Sequence, residues 1–202
     1  MTYLAMNLVG IFLLFVFDYA ALKRVARVKP LVWISANVLL ISSVILMAFS
    51  PDKFSMPLWT VWLGWILLPF AVFLKAYPLL IALPFRRTYM KSGVGDELVT
   101  TGAYALVRCP WIHSMILILV TLILISDSWL LLISSPIIIL ANILLAVVQN
   151  KFLFDKMFPG YGRYRQETPM LLPNKKSISA FLRTIRPDPD RLAAGGPGGE
   201  RP

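Results

Sequence analysis

Cysteine and histidine, two of the most versatile side chains in enzyme chemistry, are almost missing from this chain. It has one cysteine, Cys109, and one histidine, His113. A zinc site takes three or four N or S ligands, so this pair cannot build one, and no metal ligand is assigned. A single cysteine also forms no intrachain disulfide. The chain holds no G-x-S-x-G nucleophile elbow, no G-x-G-x-x-G and no G-x-x-x-x-G-K-[ST]. That excludes a soluble Rossmann-type nucleotide domain and disfavours a hydrolase of the elbow type. The polar and aromatic groups that remain gather in two stretches, residues 98–110 and 158–173. The first carries Gly102, Tyr104, Arg108, Cys109 and Pro110; the second carries Tyr161 and Tyr164. His113 lies one helical turn past Cys109, and Asn150 stands just ahead of the second stretch. Glycine admits close backbone, tyrosine walls a pocket, and arginine holds a carboxylate. Only Arg108 stands near Cys109 to lower its pKa, so Cys109 reads as a packed residue rather than a nucleophile.

The elements that position these residues are apolar helices. Of the 202 residues, 58% are apolar and 15% charged, against ~45–50% and ~25% in a soluble domain. Five apolar stretches stand out: residues 3–22, 31–49, 57 to about 75, 111–126 and 129–148. Each approaches the ~20 residues that cross a bilayer. The first has no basic residue before it and no clear cleavage site, so it reads as a retained span. The fourth is short and is expected to borrow a turn from the loop before it. The fifth carries Pro136, where a kink is expected. Only Asp127 and Ser128 separate the last two, which predicts a tight helical hairpin. Lys75 and Asp18 fall near span ends and read as interfacial. The remainder of the third stretch, residues 76–85, reads as broken or interfacial.

Charge then orients the chain. Four cations fall between the first two spans, one between the second and third, four between the third and fourth, and ten after Val148. Eighteen of the twenty thus lie on one face, which the positive-inside rule makes cytoplasmic. The expected fold is an all-α integral membrane protein of about five transmembrane helices, with a terminal helical hairpin, an outside N-terminus and a cytoplasmic C-terminal segment. Residues 1–84 form the N-terminal helices. Residues 85–173 hold a cytoplasmic loop, the hairpin and an ordered tail. Residues 174–202 form a basic, partly disordered tail, with a short amphipathic helix at 177–185. The net charge of +10 reads as a contact with anionic lipid. The cations are scattered and no recognition fold is present, so nucleic acid is not an expected partner. The second, fourth and fifth spans hold no deep ionisable residue, unlike a proton- or ion-coupled transporter.

The paired stretches resemble the signatures of the isoprenylcysteine carboxyl methyltransferase family and its relatives, the integral-membrane phospholipid methyltransferases. The first signature, roughly L-V-T-x-G-x-Y-x-x-V-R-H-P, is matched by Leu98, Val99, Thr100, Gly102, Tyr104, Val107, Arg108 and Pro110. The second is matched by the spacing of Tyr161, Tyr164, Pro169 and Pro173. The resemblance covers about residues 85–173. It implies a membrane-embedded methyltransferase that takes S-adenosylmethionine from the cytosol and a lipid-like small-molecule acceptor, a carboxylate or amine, from the bilayer. On that resemblance Arg108 is the catalytic anchor for an acceptor or cofactor carboxylate. Gly102, Tyr104, Cys109, Pro110, His113, Asn150, Tyr161 and Tyr164 are the cofactor-binding candidates. Three positions depart from the family. Cys109 stands in place of its histidine, Ile112 in place of its tyrosine, and residues 149–151 lack its paired glutamates. Those departures keep two other classes open: a non-catalytic descendant that binds lipid or a partner, and an NADPH-dependent membrane reductase of the same superfamily. Without the pairing of the two stretches, Arg108 reads as a positive-inside flank, His113 as a helix-start residue, and the tyrosines as a membrane-interface belt.

Overall fold

The computed structural model describes residues 1–23, 25, 28–77 and 98–185. Among these residues the fold is helical, with no strand and one isolated bridge, between Lys53 and Ser128. The long helices are α1 (Thr2–Leu22), α2 (Val28–Ala48), α3 (Leu58–Ala76), α5 (Pro110–Ser126) and α6 (Trp129–Val148). Short helices surround the site: α4 (Ala103–Leu106), α7 (Phe154–Met157), α8 (Tyr161–Glu167) and α9 (Lys175–Ile185). A π turn, Gln149–Leu153, joins α6 to α7. Four helical segments are long and apolar enough to cross a membrane: Thr2–Leu22, Lys29–Ala48, Leu58–Ala76 and Trp129–Met157. Their outward faces stay apolar. On α3, Trp59, Trp62, Trp65, Ile66, Phe70 and Phe73 are all exposed, which suits lipid and not water.

The fourth apolar stretch differs from expectation. Its helix has 17 residues, about 25 Å at 1.5 Å per residue, against a hydrocarbon core of about 30 Å. It borrows one residue, Pro110, and not a turn. The reason is local. Val107 is extended at φ −146° and ψ 150°, Cys109 is the N-cap, and proline is suited to the first helical position. The one-turn helix α4 is thereby kept apart from α5.

Small residues set how closely the helices pair. A Cβ on Gly10 would lie 2.9 Å from the Leu40 side chain, and one on Gly64 would lie 2.7 Å from Ile125. These glycines let α1 meet α2 and α3 meet α5 nearly backbone to backbone, the usual device where lipid supplies no hydrophobic drive. These are the two most extensive pairings, and α6 makes lesser contacts with α1, α5 and α2. The hairpin partners α5 and α6 therefore share a turn more than a long interface. At one end, Met47, Ala48, Leu119, Ile123, Leu131 and Ile138 join α2, α5 and α6 in a core. At the other, Cys109, Ile112 and Ala146 pack beneath Met170 and Leu171.

The hairpin turn is closed by its own residues. Asp127 is left-handed at φ 50°, and the Ser128 hydroxyl accepts from the Leu131 amide at 3.2 Å, an ordinary serine N-cap. That hydroxyl also donates to the Met47 carbonyl at 2.6 Å. Phe54 N donates to Asp127 O at 2.8 Å and Trp129 N to Asp52 O at 3.1 Å. The two loops at this end are thus clasped together. Helix α6 continues through Pro136. Proline removes the N–H that would bond the Leu132 carbonyl, and the Ser135 hydroxyl donates to that carbonyl instead at 3.0 Å.

The cations Arg24, Arg27, Arg86, Arg87 and Lys91, the segment 78–85 and the tail from Arg186 lie outside the described residues. The amphipathic helix expected at 177–185 begins two residues earlier, at Lys175. Asn174 and Ser177 explain the start. The Ser177 amide donates to Asn174 Oδ1 at 2.8 Å, and the Asn174 amide donates to Ser177 Oγ at 3.0 Å. That is a reciprocal cap.

Candidate functional site

The two stretches are stitched together by their own backbone. Arg108 N donates to Pro169 O at 2.9 Å, and Cys109 N donates to Met170 O at 3.2 Å. The Tyr164 hydroxyl donates to the Tyr104 carbonyl at 2.6 Å. On α8, Tyr161 and Tyr164 are three residues apart and so share a face. Their rings meet edge to face at 5.8 Å, and Phe154 packs against Tyr161 at 5.4 Å. Helix α9 lies against α4 and completes this cap.

Beneath the cap, four candidate residues form one buried cluster. Asn150 is its centre. Asn150 Oδ1 accepts from Arg108 Nη1 at 2.7 Å and from the Tyr161 hydroxyl. Asn150 Nδ2 donates to the Ala146 carbonyl at 2.7 Å and approaches Cys109 Sγ at 3.4 Å. Arg108 Nη1 also reaches the Tyr161 oxygen at 3.4 Å, while Arg108 Nε is buried without a partner. The π turn makes the geometry: one extra residue per turn brings Asn150 inward toward Cys109. Burial pushes the Cys109 thiol above its ordinary pKa, and the Asn150 hydrogen bond and the Arg108 charge pull the other way. Burial likewise raises Tyr161 against the pull of Arg108. Tyr104 and Tyr164 are raised chiefly by burial. All these phenols are therefore neutral at neutral pH, and Cys109 is a packed thiol.

The remaining candidates have other places. Gly102, at φ 60° and ψ −135°, turns the chain into α4 in a conformation that favours glycine. Pro110 starts α5. His113 is exposed on α5 and lines neither of the two cavities described next.

One cavity, of about 440 Å³, lies between residues 98–105 and helices α8 and α9. Thr100, Tyr164, Glu167, Thr168 and Lys176 line it. Its walls carry both charges, and Arg163 pairs with Glu167 at 2.9 Å on its exposed side. The other, of about 160 Å³, opens among the long helices at the same end. Asp18 of α1, Asn37 of α2, Lys75 of α3, Tyr104, Trp111 of α5 and Gln149 line it. The Tyr164–Tyr104 bond joins the two walls. Arg108 lines neither cavity.

Six of the nine candidates, Tyr104, Arg108, Cys109, Asn150, Tyr161 and Tyr164, are joined by hydrogen bonds or close contact, but the sequence reading overlooked the polar lining of both cavities. The signal was present. Asp18 and Lys75 are ionisable residues within apolar stretches, and such residues mark function by default. Their nearness to the span ends favoured the interfacial reading. The structure also turns them toward a common cavity: Gln149 Nε2 donates to Asp18 at 2.5 Å, and the Lys75 ammonium lies 5.9 Å from the Trp111 ring centre. Comparison with family models, with curated proteins and with solved structures gives no match for this chain.

Proposed function

We propose that this chain is a membrane-embedded methyltransferase that uses S-adenosylmethionine and a lipid-like acceptor. In this reading five helices cross the membrane, the N-terminus is outside, and the two stretches face the cytosol. One observation carries it: the two stretches that resemble the methyltransferase signatures are bonded to each other and flank two neighbouring cavities of unequal size and chemistry. The larger, at about 440 Å³, falls in the range of about 300–1,000 Å³ for small-molecule sites. Its residues suit the cofactor. Lys176 faces a carboxylate, Glu167 an ammonium, Leu98 and Ala180 a flat apolar ring, and the Tyr164 ring a sulfonium. S-adenosylmethionine bound there would supply an already activated methyl group. The protein's task is then to position an acceptor within ~3–3.5 Å and in line. Tyr164 flanks the cofactor and Tyr104 the acceptor. Arg108 acts as a positioning residue, because its guanidinium holds Asn150 and Tyr161 together.

The test is binding of S-adenosylhomocysteine to purified protein in detergent, by calorimetry or thermal shift. Saturable binding supports the reading, and no binding at millimolar ligand overturns it. A second reading, a lipid-binding protein without catalysis, is favoured by Asn150. Each polar atom of its side chain is engaged within the protein, where the resembled family offers a glutamate to the cofactor.

A further inference from the structure

Helix α9 packs on the fold with one side only. Ser177 is buried, Phe181 is half-buried, and Lys176 and Ala180 line the larger cavity. The other side is open. Lys175, Ile178, Ser179 and Leu182 follow the i, i+3, i+4, i+7 spacing and form one stripe along the helix. Within that stripe Ile178 is 44% and Leu182 54% exposed. Leu172, two residues ahead of the Asn174 cap, is exposed as well. The helix carries three cations, Lys175, Lys176 and Arg183, and no acidic residue. Among the described residues no carboxylate pairs with Lys175 or Arg183. A strongly amphipathic helix of low net hydrophobicity, with basic residues beside aliphatic ones, is built to lie in the plane of a membrane surface. The position of α9 agrees. It rests on α4, and only Val107, Arg108 and Cys109 separate α4 from the apolar helix α5. The bilayer around the long helices therefore begins close by, at high effective concentration. A protein partner is usually gripped by aromatic anchors, and the open stripe has none.

We propose that α9 docks in the plane of the bilayer surface and binds anionic phospholipid there. Ile178 and Leu182 enter the acyl boundary. Lys175 lays its stem beside them and extends its ammonium to the phosphates. Arg183 meets a further head group from the polar flank. The contact is with the bilayer surface and not with a substrate pocket, and it needs no cofactor.

Spin labels on the full chain in lipid vesicles test it. Single cysteines are placed by Ile178→Cys, Leu182→Cys and Thr184→Cys, the last on a different side of the helix. Cys109 is 1% exposed, and the wild-type chain treated with the label is the blank. Collision with oxygen, which concentrates among acyl chains, is compared with collision with a neutral nickel chelate, which stays in water. In phosphatidylcholine mixed with phosphatidylglycerol, the Ile178→Cys and Leu182→Cys labels should meet oxygen and escape the chelate. The Thr184→Cys label should meet the chelate. Each cation near an anionic surface favours the docked state about fivefold, so Lys175→Gln with Arg183→Gln should lower the ratio of docked to free helix about 25-fold. Omitting phosphatidylglycerol should also lower it. Equal collision with the chelate at all three positions overturns the proposal. Shielding of the Ile178→Cys and Leu182→Cys labels from both reagents overturns the membrane assignment and leaves a protein contact. Docking that is indifferent to phosphatidylglycerol and to the paired glutamine substitutions overturns the anionic-lipid assignment. No cofactor is added, so failure here is separate from failure to bind S-adenosylhomocysteine.

Discussion

Replacing Asn150 by leucine removes the hub of the buried cluster at nearly constant volume. Three bonds are lost. Arg108 Nη1 loses an acceptor at 2.7 Å, and a hydrogen bond to a charged group is worth about 1.5–3 kcal/mol. The Tyr161 hydroxyl loses its acceptor and the Ala146 carbonyl its donor, each worth about 1 kcal/mol. With Nε already unpartnered, the guanidinium is left short on two sides, which adds to the cost. Asn150→Leu should therefore destabilise the protein by about 4 kcal/mol. Asn150→Asp keeps both acceptor contacts and places a carboxylate against Arg108, losing only the donor to Ala146 and the contact with Cys109. Its cost should be near 1 kcal/mol. Unfolding of the purified protein by titration with denaturing detergent measures both. A double-mutant cycle with Arg108→Met should show coupling of about 2 kcal/mol. A loss under about 1 kcal/mol for Asn150→Leu, or equal losses for Leu and Asp, would refute the view that Asn150 holds the two stretches together.

Three other outcomes follow from the geometry. Gly102→Ala, at φ 60°, should cost about 1–3 kcal/mol in the same unfolding assay; an unchanged midpoint would mean that the turn relaxes. Ser135→Ala leaves the Leu132 carbonyl without the hydroxyl that bonds it beside Pro136, and about 1 kcal/mol should be lost; stability equal to wild type would show that another donor reaches it. Burial raises the pKa of Tyr104 and Tyr164 in the folded protein. The unfolded chain therefore releases these protons first, so their contribution is complete below about pH 10 and declines as pH rises beyond it. Unfolding midpoints from pH 8 to 11, compared between wild type and Tyr164→Phe, should diverge least at high pH; a constant gap would contradict the assignment.

The membrane helices were legible because their signals are local. Residues 129–148 were read to the residue, since Ser128 is a good N-cap and the apolar run is unbroken behind it. The start of α2 was misplaced by three residues. Lys29 and Pro30 looked like loop, yet proline is tolerated in a first helical turn, and Lys29 is buried over the Phe17 ring at 5.5 Å. The site was legible in its two stretches but not in its walls. Nothing local to Asp18, Lys75 or Gln149 tells that three separate helices turn them toward one space. The role of Asn150 was hidden for a different reason. A π turn carries no sequence mark, so the phase that turns Asn150 toward Cys109 and Arg108 could not be read from helical periodicity.

That π turn has a genetic corollary. Gln149 and Asn150 are neighbours, yet one serves the cavity beside α1 and the other serves the cluster under α8. A regular helix sets successive residues about 100° apart, and the extra residue in Gln149–Leu153 adjusts the phase of all that follows. A substitution here acts on one of the two sites at a time. Deletion of a single codon within 149–153 rotates the rest of the chain and uncouples both sites at once. The segment is thus less tolerant of changed length than of changed letters, and natural variation in it should consist of replacements without gaps.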